Sequence, residues 1–526
     1  MIPTVVGIIF FALKKFSFLF LFTIVVLAIW LRTFELGERP LHTDEAVGAA
    51  KFGQLLENGD YKYDPFEYHG PTLNYLSLIP AWIAGEYTYR DLKIETLRSI
   101  PVFFGILLVL LPVFLFYRLD YRHALVAAFL VTISPAMVFY SRYYIHEYIL
   151  VFFSYLGILS YFKLSGNQSK IWSAVLGISV GMMIATKETW VISIAGFVIA
   201  LFLQGGQKGL LNFIISRRFL ITIGMTLIVV ITFFTSFFSH YQGIVDMFAT
   251  YGTYLDRAGT QELHRHPWYY YLQLLSGNSG PNYLWTEASI LFLAAAGGYF
   301  LIKESNNDDM TKRLRVIVIF CLFQFVVYSA LPYKTPWNLL SAYLGIIFLA
   351  GYGVTSLLKI ISSQYVKLGI AVLFGLISIQ LVGQTFYEYN DPADPSNPWV
   401  YGHTDGNFNQ VIHTIDSVAM NDSTYIEVIF PGHDYWPFPW YLRKYHNVAY
   451  RDHVDFNSPG GEMILIAPSL EEDLVKKLYE SPPPGQQFLY LYLFDSIQTL
   501  RPNVYFDGYL RYDLWDKQQS KNIEND

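Results

Sequence analysis

The sequence predicts a polytopic α-helical membrane protein of about eleven transmembrane helices with a C-terminal extracytoplasmic α/β domain. Of its 526 residues, 53% are hydrophobic and only 15% are charged, whereas soluble globular chains carry about 25% charged residues. Eleven apolar stretches approach the roughly 20 residues that a helix needs to cross a bilayer. After residue 385 the chain becomes more polar and contains strand-like segments. These observations exclude a soluble enzyme and a disordered scaffold.

The apolar stretches have polar residues on either side, and the fourth, fifth and sixth are the shortest. A further apolar run at Tyr75–Ala84 is too short to cross the bilayer comfortably, so it predicts a helix lying on the membrane surface. The eleven predicted spans are Phe16–Leu31, Ile100–Tyr117, Ala124–Tyr140, Ile149–Phe162, Ile171–Ala185, Trp190–Leu203, Phe219–Phe238, Leu284–Ile302, Val316–Leu331, Asn338–Leu357 and Leu368–Thr385.

Lysine and arginine predict the orientation, because cytoplasmic loops are enriched in both. One set of connections is basic, whereas the opposite short turns carry at most one basic residue each, namely Arg142, Lys187 and Lys334. We therefore expect a multi-pass protein of the cytoplasmic membrane with its N-terminus inside and its first span retained as a signal anchor. The basic set is Lys14, Lys15, Arg118, Arg122, Lys163, Lys170, Lys208, Arg217, Arg218, Lys303, Lys312, Arg313, Arg315, Lys359 and Lys367.

Three external regions follow from this topology: a long first loop at residues 32–99, the loop Ser239–Tyr283 and the tail. We divide the chain into a membrane domain at 1–385 and an α/β domain at 386–526, joined by the proline-rich linker Asn390–Trp399. Short apolar runs predict strands in the tail, and helical spacing of apolar residues predicts one helix. The predicted strands are Tyr425–Phe430, Met463–Ala467 and Phe488–Phe494, and the predicted helix is Leu470–Tyr479.

Charge and cysteine content narrow the possible functions. A net charge of −6 argues against a nucleic-acid partner. The single cysteine, Cys321, excludes a disulfide framework and a cysteine-built zinc site. The inward-facing loops contain no phosphate-cradling glycine motif, which argues against nucleotide-driven pumping.

The first external loop carries the most informative acidic residues. Asp44 and Glu45 follow the first span and open a predicted amphipathic helix. They have a structural alternative, because Thr43 or Asp44 can cap the helix while Glu45 complements its dipole. Capping explains each residue alone, but it does not explain His42 and Asp44 together at the outer membrane surface. Two interpretations therefore remain for this pair, a catalytic carboxylate and a structural helix cap.

The same loop continues with Glu67, His69, Gly70 and Pro71 ahead of the predicted interfacial helix that contains Tyr75. Gly-Pro is a chain break, and proline suits the first position of the following helix. Taken singly, these residues fit a turn. Glu67 and His69 remain candidates for a metal or for contacts with an acceptor molecule.

The short external turns concentrate charge at the membrane boundary. Arg142, His146 and Glu147 crowd into one turn, for which an aromatic belt with a snorkelling arginine is the structural alternative. Lys187 lies in the next turn, where a local pair with Glu188 would neutralise it.

Lys334 lies between Pro332 and Pro336. The two prolines stiffen this turn, which favours a functional lysine. In the loop Ser239–Tyr283, His264 and His266 form a weak His-x-His metal signal. Solvated loop histidines are the alternative.

Together these residues predict a chemistry at the outer face. Three cations suit the phosphate of a lipid head group, and a carboxylate on the same side suits activation of a hydroxyl group. Abundant aromatic residues suit the apolar faces of sugars. Displacement at a sugar carbon by an acceptor hydroxyl, with a lipid phosphate leaving, combines these features and inverts the anomeric carbon.

Several motifs carry a resemblance to a known family. The segments YHGPTLNYL, SPAMVFYSRYYIHEY and ATKETW, after a span and an Asp-Glu pair, resemble the GT-C superfamily of polytopic glycosyltransferases. Relatives there include the dolichyl-phosphate-mannose–protein mannosyltransferases and the aminoarabinose transferases. The later segments LPYKTPWNLL, NPWVYGHT and DYWPFPWYLR resemble a prokaryotic subgroup associated with flipping of dolichyl-phosphate sugars in archaeal N-glycosylation.

The resemblance implies a GT-C-like membrane domain, an extracytoplasmic active site, a polyprenyl-phosphate-sugar donor and a hydroxyl acceptor on a protein, lipid or glycan. No cofactor is certain, and a divalent metal is possible. A non-catalytic flippase is the alternative, although few charges lie deep inside the spans as transport would require. The implied residues are Asp44 as base with Glu45, Arg142, Lys187 and Lys334 on the donor phosphate, His42, His69, Tyr75, His146 and Glu147 in the pocket, and Glu67, His69, His264 and His266 as metal candidates.

Overall fold

The computed structural model describes residues 17–66, 69–164, 169–260, 264–280, 283–305, 308–419, 421–483, 485 and 487–516. The membrane part is built from helices, which confirms the predicted fold class. Its helices are α1 (Ser17–Thr33), α2 (Thr43–Asn58), α3 (Thr72–Ala84), α4 (Ile94–Phe116), α5 (Tyr121–Ile133), α6 (Pro135–Ser141), α7 (Glu147–Lys163), α8 (Ser169–Thr186), α9 (Trp190–Leu203), α10 (Gln207–Ile214), α11 (Arg217–Phe234), α12 (Gly243–Thr260), α13 (Tyr270–Ser276), α14 (Ala288–Lys303), α15 (Asp309–Ala330), α16 (Leu340–Ile360) and α17 (Gln364–Asn390).

Each of the eleven predicted spans contains a helix. In the described part of the chain, six helices are long and apolar enough to cross a membrane, or seven if the bent pair of α5 and α6 is one span. Helices α1, α9 and α14 are apolar but have only 14 to 17 residues. The count of eleven crossings therefore stays a prediction, while a multi-pass membrane protein is established. Phe16, Lys14 and Lys15 lie outside the described residues.

The predicted span Ala124–Tyr140 is broken. Helices α5 and α6 meet at an angle of 62°, because Ser134 leaves the helical conformation and Pro135 starts the next helix. The buried Glu287 side chain accepts hydrogen bonds from Ser134 Oγ at 2.6 Å and from the Ala136 amide at 2.8 Å. The second bond satisfies a backbone amide that the break leaves without a helical partner.

The predicted span Leu284–Ile302 also starts differently. Residues Leu284–Trp285 form strand β2, which pairs antiparallel with β1 (Asn278–Ser279), and the helix begins only at Ala288. The Trp285 indole is buried and donates to Ser396 Oγ at 3.1 Å. Hydrophobicity alone predicts that these residues belong to a membrane span.

Basic residues of the predicted cytoplasmic connections lie together at one end of the helices. Arg313 donates to the Leu115 carbonyl at 2.8 Å, and Lys359 forms an ion pair with Asp120 at 2.8 Å. Arg218 donates to the carbonyl that ends α7. This arrangement fits the predicted topology, although the orientation itself stays a prediction.

The tail folds as a mixed α/β unit with its own core. Its central sheet has the order β4-β3-β5-β8-β6, with β4, β3 and β5 parallel and β7 paired to β8. The predicted strands contain β3, β5 and β6, whereas β4, β7, β8 and helix α18 were not predicted. The elements are α18 (Phe408–Val418), β3 (Ile426–Ile429), α19 (Phe438–Tyr441), β4 (Val448–Arg451), β5 (Met463–Ile466), α20 (Glu471–Val475), β6 (Tyr490–Tyr492), β7 (Gln498–Arg501) and β8 (Val504–Arg511).

The tail packs on the first external loop through side-chain-to-backbone hydrogen bonds. Arg443 donates to the carbonyls of Tyr89 at 3.1 Å and Leu92 at 2.7 Å. The Leu41 amide donates to the Tyr441 hydroxyl at 2.9 Å. The tail is therefore seated directly beside the start of α2, where the acidic pair lies.

Candidate active site

Helix α2 begins at Thr43 in the first external loop. Its N-cap is His42, whose Nδ1 accepts the Asp44 amide at 3.0 Å, while the Glu45 carboxylate accepts the His42 amide at 3.1 Å. This reciprocal pair is a capping box. The expected cap by Thr43 or Asp44 is therefore wrong, and the Asp44 carboxylate is not needed to start the helix.

Glu45 is fully buried and bonded on both oxygens. Arg98 donates to each oxygen at 2.8 Å, the Tyr144 amide donates at 2.9 Å, and Arg39 lies 3.7 Å away. Burial opposes ionisation of Glu45, but the two guanidinium groups outweigh it and lower its pKa to about 2. These contacts give Glu45 a structural role and do not support its predicted part in catalysis.

Asp44 differs from its neighbour because its side chain is 52% exposed. Its carboxylate lies 3.9 Å from His42 Nδ1 and interacts electrostatically with Tyr143, His264 and Tyr401. Burial lowers the pKa of His42, and a neutral ring fits its bonds, since Nδ1 accepts an amide and Nε2 donates to the Tyr401 carbonyl at 3.1 Å. Asp44 therefore presents an accessible carboxylate at a helix start that the capping box fixes.

The segment Asn397–Thr404, which begins within the predicted linker and extends beyond it, lies beside Asp44. The Tyr140 hydroxyl donates to the Trp399 carbonyl at 2.7 Å. The Tyr401 hydroxyl lies 2.7 Å from His264 Nδ1 and 3.1 Å from His266 Nε2. The tail therefore reaches into the site and bonds the loop that precedes α13.

Lys334 supports the same loop from the other side. Its amide donates to the His264 carbonyl and its Nζ donates to the His266 carbonyl, both at 2.9 Å, and Nζ also bonds the Leu331 carbonyl. The side chain is almost completely buried. These hydrogen bonds hold Lys334 in place, and in this structure its ammonium binds backbone oxygens.

A second cluster of charged groups joins the first loop to two other turns. Lys187 and Glu147 form a buried ion pair, and His69 Nδ1 lies 2.9 Å from the Glu188 carboxylate. The expected local pair between Lys187 and Glu188 is therefore wrong, because each residue has a partner from a different part of the chain. The rings of His69 and His146 are 5.3 Å apart.

Gly70 is a point of close contact between the first loop and helix α8. Its amide donates to the Thr186 carbonyl at 3.1 Å, and its carbonyl accepts from His146 Nε2 at 3.0 Å. A Cβ atom at this position would lie 2.2 Å from the Ala185 carbonyl oxygen. Only glycine allows the first loop to approach α8 this closely.

Arg142 is held by main-chain oxygens. Its guanidinium donates to the carbonyls of Leu31 at 3.2 Å, Phe34 at 2.6 Å and Glu35 at 3.1 Å, and it stacks over Tyr389. These contacts tie the second external turn to the end of α1. They describe a structural role for Arg142, and its contact with a donor phosphate stays a prediction.

The remaining predicted residues do not converge on one centre. Tyr75 packs among Tyr61, Phe233 and Phe237. Of the metal candidates, Glu67 lies outside the described residues, and the three histidines have the partners given above. In the parts of the chain that are described, no group of three or more His, Cys, Asp or Glu suits a metal ion.

Three important residues were missed by the sequence reasoning. Arg98 precedes a span and looked like an ordinary loop arginine, yet it is 1% exposed and neutralises Glu45. Tyr401 and His403 lie in NPWVYGHT, a segment that carried the family resemblance. That motif was the signal available, but nothing in its spacing connects it to the first loop.

Comparison with known proteins supports the fold. The family model described as dolichyl-phosphate-mannose-protein mannosyltransferase matches residues 81–242. ArnT from Cupriavidus metallidurans, bound to undecaprenyl phosphate, is similar with a TM-score of 0.63 and 13% identity over 94% of this chain and 98% of that chain. Its apo form gives a TM-score of 0.62. A search of curated proteins found no match.

A second structural relative comes from an archaeon. The oligosaccharyltransferase AglB from Archaeoglobus fulgidus, in complex with an inhibitory peptide and a dolichol-phosphate, has a TM-score of 0.54 and 13% identity, covering 91% of this chain and 73% of that chain. The predicted resemblance to GT-C glycosyltransferases is confirmed by these matches. The protein is therefore a multi-pass membrane protein with the fold that these structures share.

Proposed function

We propose that the protein transfers a sugar from a polyprenyl-phosphate donor to a hydroxyl acceptor at the extracytoplasmic face of the membrane. The description of the matching family model names a dolichyl-phosphate sugar donor, and the ArnT and AglB structures hold polyprenyl phosphates. The observation that carries the proposal is the difference in environment between the neighbouring carboxylates of Asp44 and Glu45. Glu45 is buried and paired, whereas Asp44 is exposed and bordered by tail residues.

Asp44 is the proposed general base. The acceptor hydroxyl loses its proton to the Asp44 carboxylate, and its oxygen attacks the anomeric carbon of the donor sugar. The bond between that carbon and the phosphate oxygen breaks, and the polyprenyl phosphate leaves with the bonding electron pair. One displacement of this kind inverts the anomeric carbon. A positioned base typically contributes 10²- to 10⁴-fold to a rate.

Lys334, Arg142 and Lys187 are the proposed partners of the leaving phosphate. Lys334 and Arg142 donate to carbonyl oxygens, and neither has a carboxylate within ion-pair distance among the described residues, although Glu388 interacts electrostatically with Arg142. Lys187 is paired with Glu147 and would exchange this carboxylate for phosphate oxygens. Charge-assisted hydrogen bonds of this type are the strong ones in phosphate recognition.

The test uses the full-length protein in liposomes with radiolabelled dolichyl-phosphate hexoses and a cell-envelope extract as acceptor. We expect Asp44→Asn to lower label transfer at least about 100-fold. Asp60→Asn is the matched control, because Asp60 is a 57% exposed carboxylate in the same loop. Transfer by Asp44→Asn at the wild-type rate overturns the mechanism. Movement of label across the bilayer without its release supports the flippase alternative instead.

A further inference from the structure

The tail contributes a second residue beside Asp44, which is His403. Its ring is buried and stacks on Tyr143 with 5.4 Å between ring centres and 27° between planes. It also meets the edge of the His42 ring at 5.0 Å. Tyr143 in turn interacts electrostatically with Asp44. The stacked pair therefore lies near the proposed base, with the His42 ring between them in the chain of contacts.

The bonds of His403 fix where its proton lies. The Tyr401 amide donates to His403 Nδ1 at 2.9 Å, so Nδ1 is an acceptor and Nε2 carries the hydrogen in the neutral ring. Among the residues that the structure describes, this Nε2 donor has no hydrogen-bond partner. The Tyr143 hydroxyl, 0% exposed, also has none in that part of the chain.

Such groups are unusual inside a folded protein, because most buried polar side-chain atoms are hydrogen-bonded. Two neighbouring residues with unpartnered polar groups at one site therefore indicate a missing polar ligand. Thr43 Oγ1, next to His42 in the sequence, and Thr335 Oγ1, next to Lys334, share this property among the described residues. All four groups are neutral hydrogen-bonding groups, which suits sugar hydroxyl groups. Arg39, whose guanidinium lies 5.3 Å from the centre of the Tyr143 ring, adds Nε and Nη1 atoms that also have no partner in the described part of the chain.

We propose that His403 and Tyr143 form a hydroxyl-recognition subsite that binds a hexose ring held next to Asp44. This inference rests on the proposed function, since it assigns the sugar of that reaction to named side chains. The hydroxyl groups belong either to the transferred sugar or to a sugar acceptor. In both cases the tail residue His403 determines specificity, and the tail completes the site.

The experiment compares the affinities of dolichyl-phosphate mannose, dolichyl phosphate and methyl mannoside for the full-length protein in nanodiscs. The measured quantity is the gain in affinity that the sugar gives to the lipid, and turnover is not required. Tyr143→Phe is the main variant, because it removes a hydroxyl that bonds nothing else among the described residues and keeps the stacked ring. We expect it to reduce the sugar-dependent gain at least about fivefold with unchanged dolichyl-phosphate affinity.

His403→Ala should act in the same way, and His413→Ala, on the exposed face of α18, is the control that should not. A lost gain for the lipid-linked sugar assigns the subsite to the donor, whereas weaker binding of methyl mannoside alone assigns it to the acceptor. Wild-type binding of both sugars by both variants overturns the proposal, as does a wild type whose affinity is indifferent to the sugar. Loss of transfer in Asp44→Asn with sugar binding intact tests the proposed function separately.

Discussion

Replacing Glu45 by glutamine tests the division of roles in the acidic pair. The variant keeps the shape of the side chain but leaves the buried Arg98 and Arg39 without their negative partner. The pKa of Glu45 falls from 4.5 to about 2 in the folded protein, which corresponds to about 3 kcal/mol of stability at neutral pH. Measurements on broken buried ion pairs give a similar cost of about 3 to 5 kcal/mol.

The assay is thermal unfolding of purified protein, followed by loss of the monodisperse peak in size-exclusion chromatography. Glu45→Gln should unfold at a clearly lower temperature than the wild type. Glu38→Gln, which changes an exposed carboxylate of the same loop, should stay within about 0.5 kcal/mol of it. Asp44→Asn should resemble Glu38→Gln in stability while losing transfer.

The dependence on pH has a defined sign. Because the folded-state pKa of Glu45 is lower than its unfolded value, its contribution is complete above about pH 4.5 and is lost as the pH falls toward 2. Glu45→Gln should therefore lose less stability over that window than the wild type. Equal unfolding temperatures for Glu45→Gln and the wild type at pH 7, or a destabilised Asp44→Asn, would refute the assignment.

Three further predictions concern the contacts around the site. Lys187→Met and Glu147→Leu should each cost about 3 to 5 kcal/mol, while the double variant recovers most of that stability in a thermal double-mutant cycle. Burial lowers the pKa values of His264 and His266, so the folded state resists their protonation. Their contacts with Tyr401 should therefore weaken below about pH 6.5. Trypsin cleavage after Arg265 should accelerate in that pH range in the wild type, and not in the double variant His264→Gln/His266→Gln. Gly70→Ala should lower the unfolding temperature, because its Cβ would lie 2.2 Å from a carbonyl oxygen, whereas Gly224→Ala, with open space around it, should not.

The membrane helices could be predicted because burial in lipid requires long apolar runs, which a sequence displays directly. The break at Ser134 has a local signal in Pro135, because proline disfavours the helical conformation of the residue before it. Its stabilisation by Glu287, 153 residues away along the chain, could not be predicted. The start of α2 shows the same limit. Local rules predicted a cap within residues 43–45, but they do not reveal that Arg98 holds Glu45 and thereby leaves Asp44 as the accessible carboxylate.

The tail illustrates why a site can be predicted only in part. The polar residues of the short turns were identified because charged residues crowded between two apolar spans stand out in the sequence. Tyr401 and His403 carry no such signal, since an aromatic ring and a histidine after a proline-rich stretch are ordinary in a linker. Their role appears only when the fold brings them against His42 and Tyr143.

The contact of His403 with His42 has a consequence for how the protein is made. About 360 residues separate these two histidines, and a ribosome adds about 5 to 20 residues per second. The first loop therefore waits roughly 20 to 70 s outside the membrane before the segment that covers it has been synthesised. During this interval the buried face of the loop is open to water and to any chaperone or protease on that side of the membrane. Arrival of Asn397–Thr404 closes it, so maturation of the site is a late event in the biogenesis of the chain.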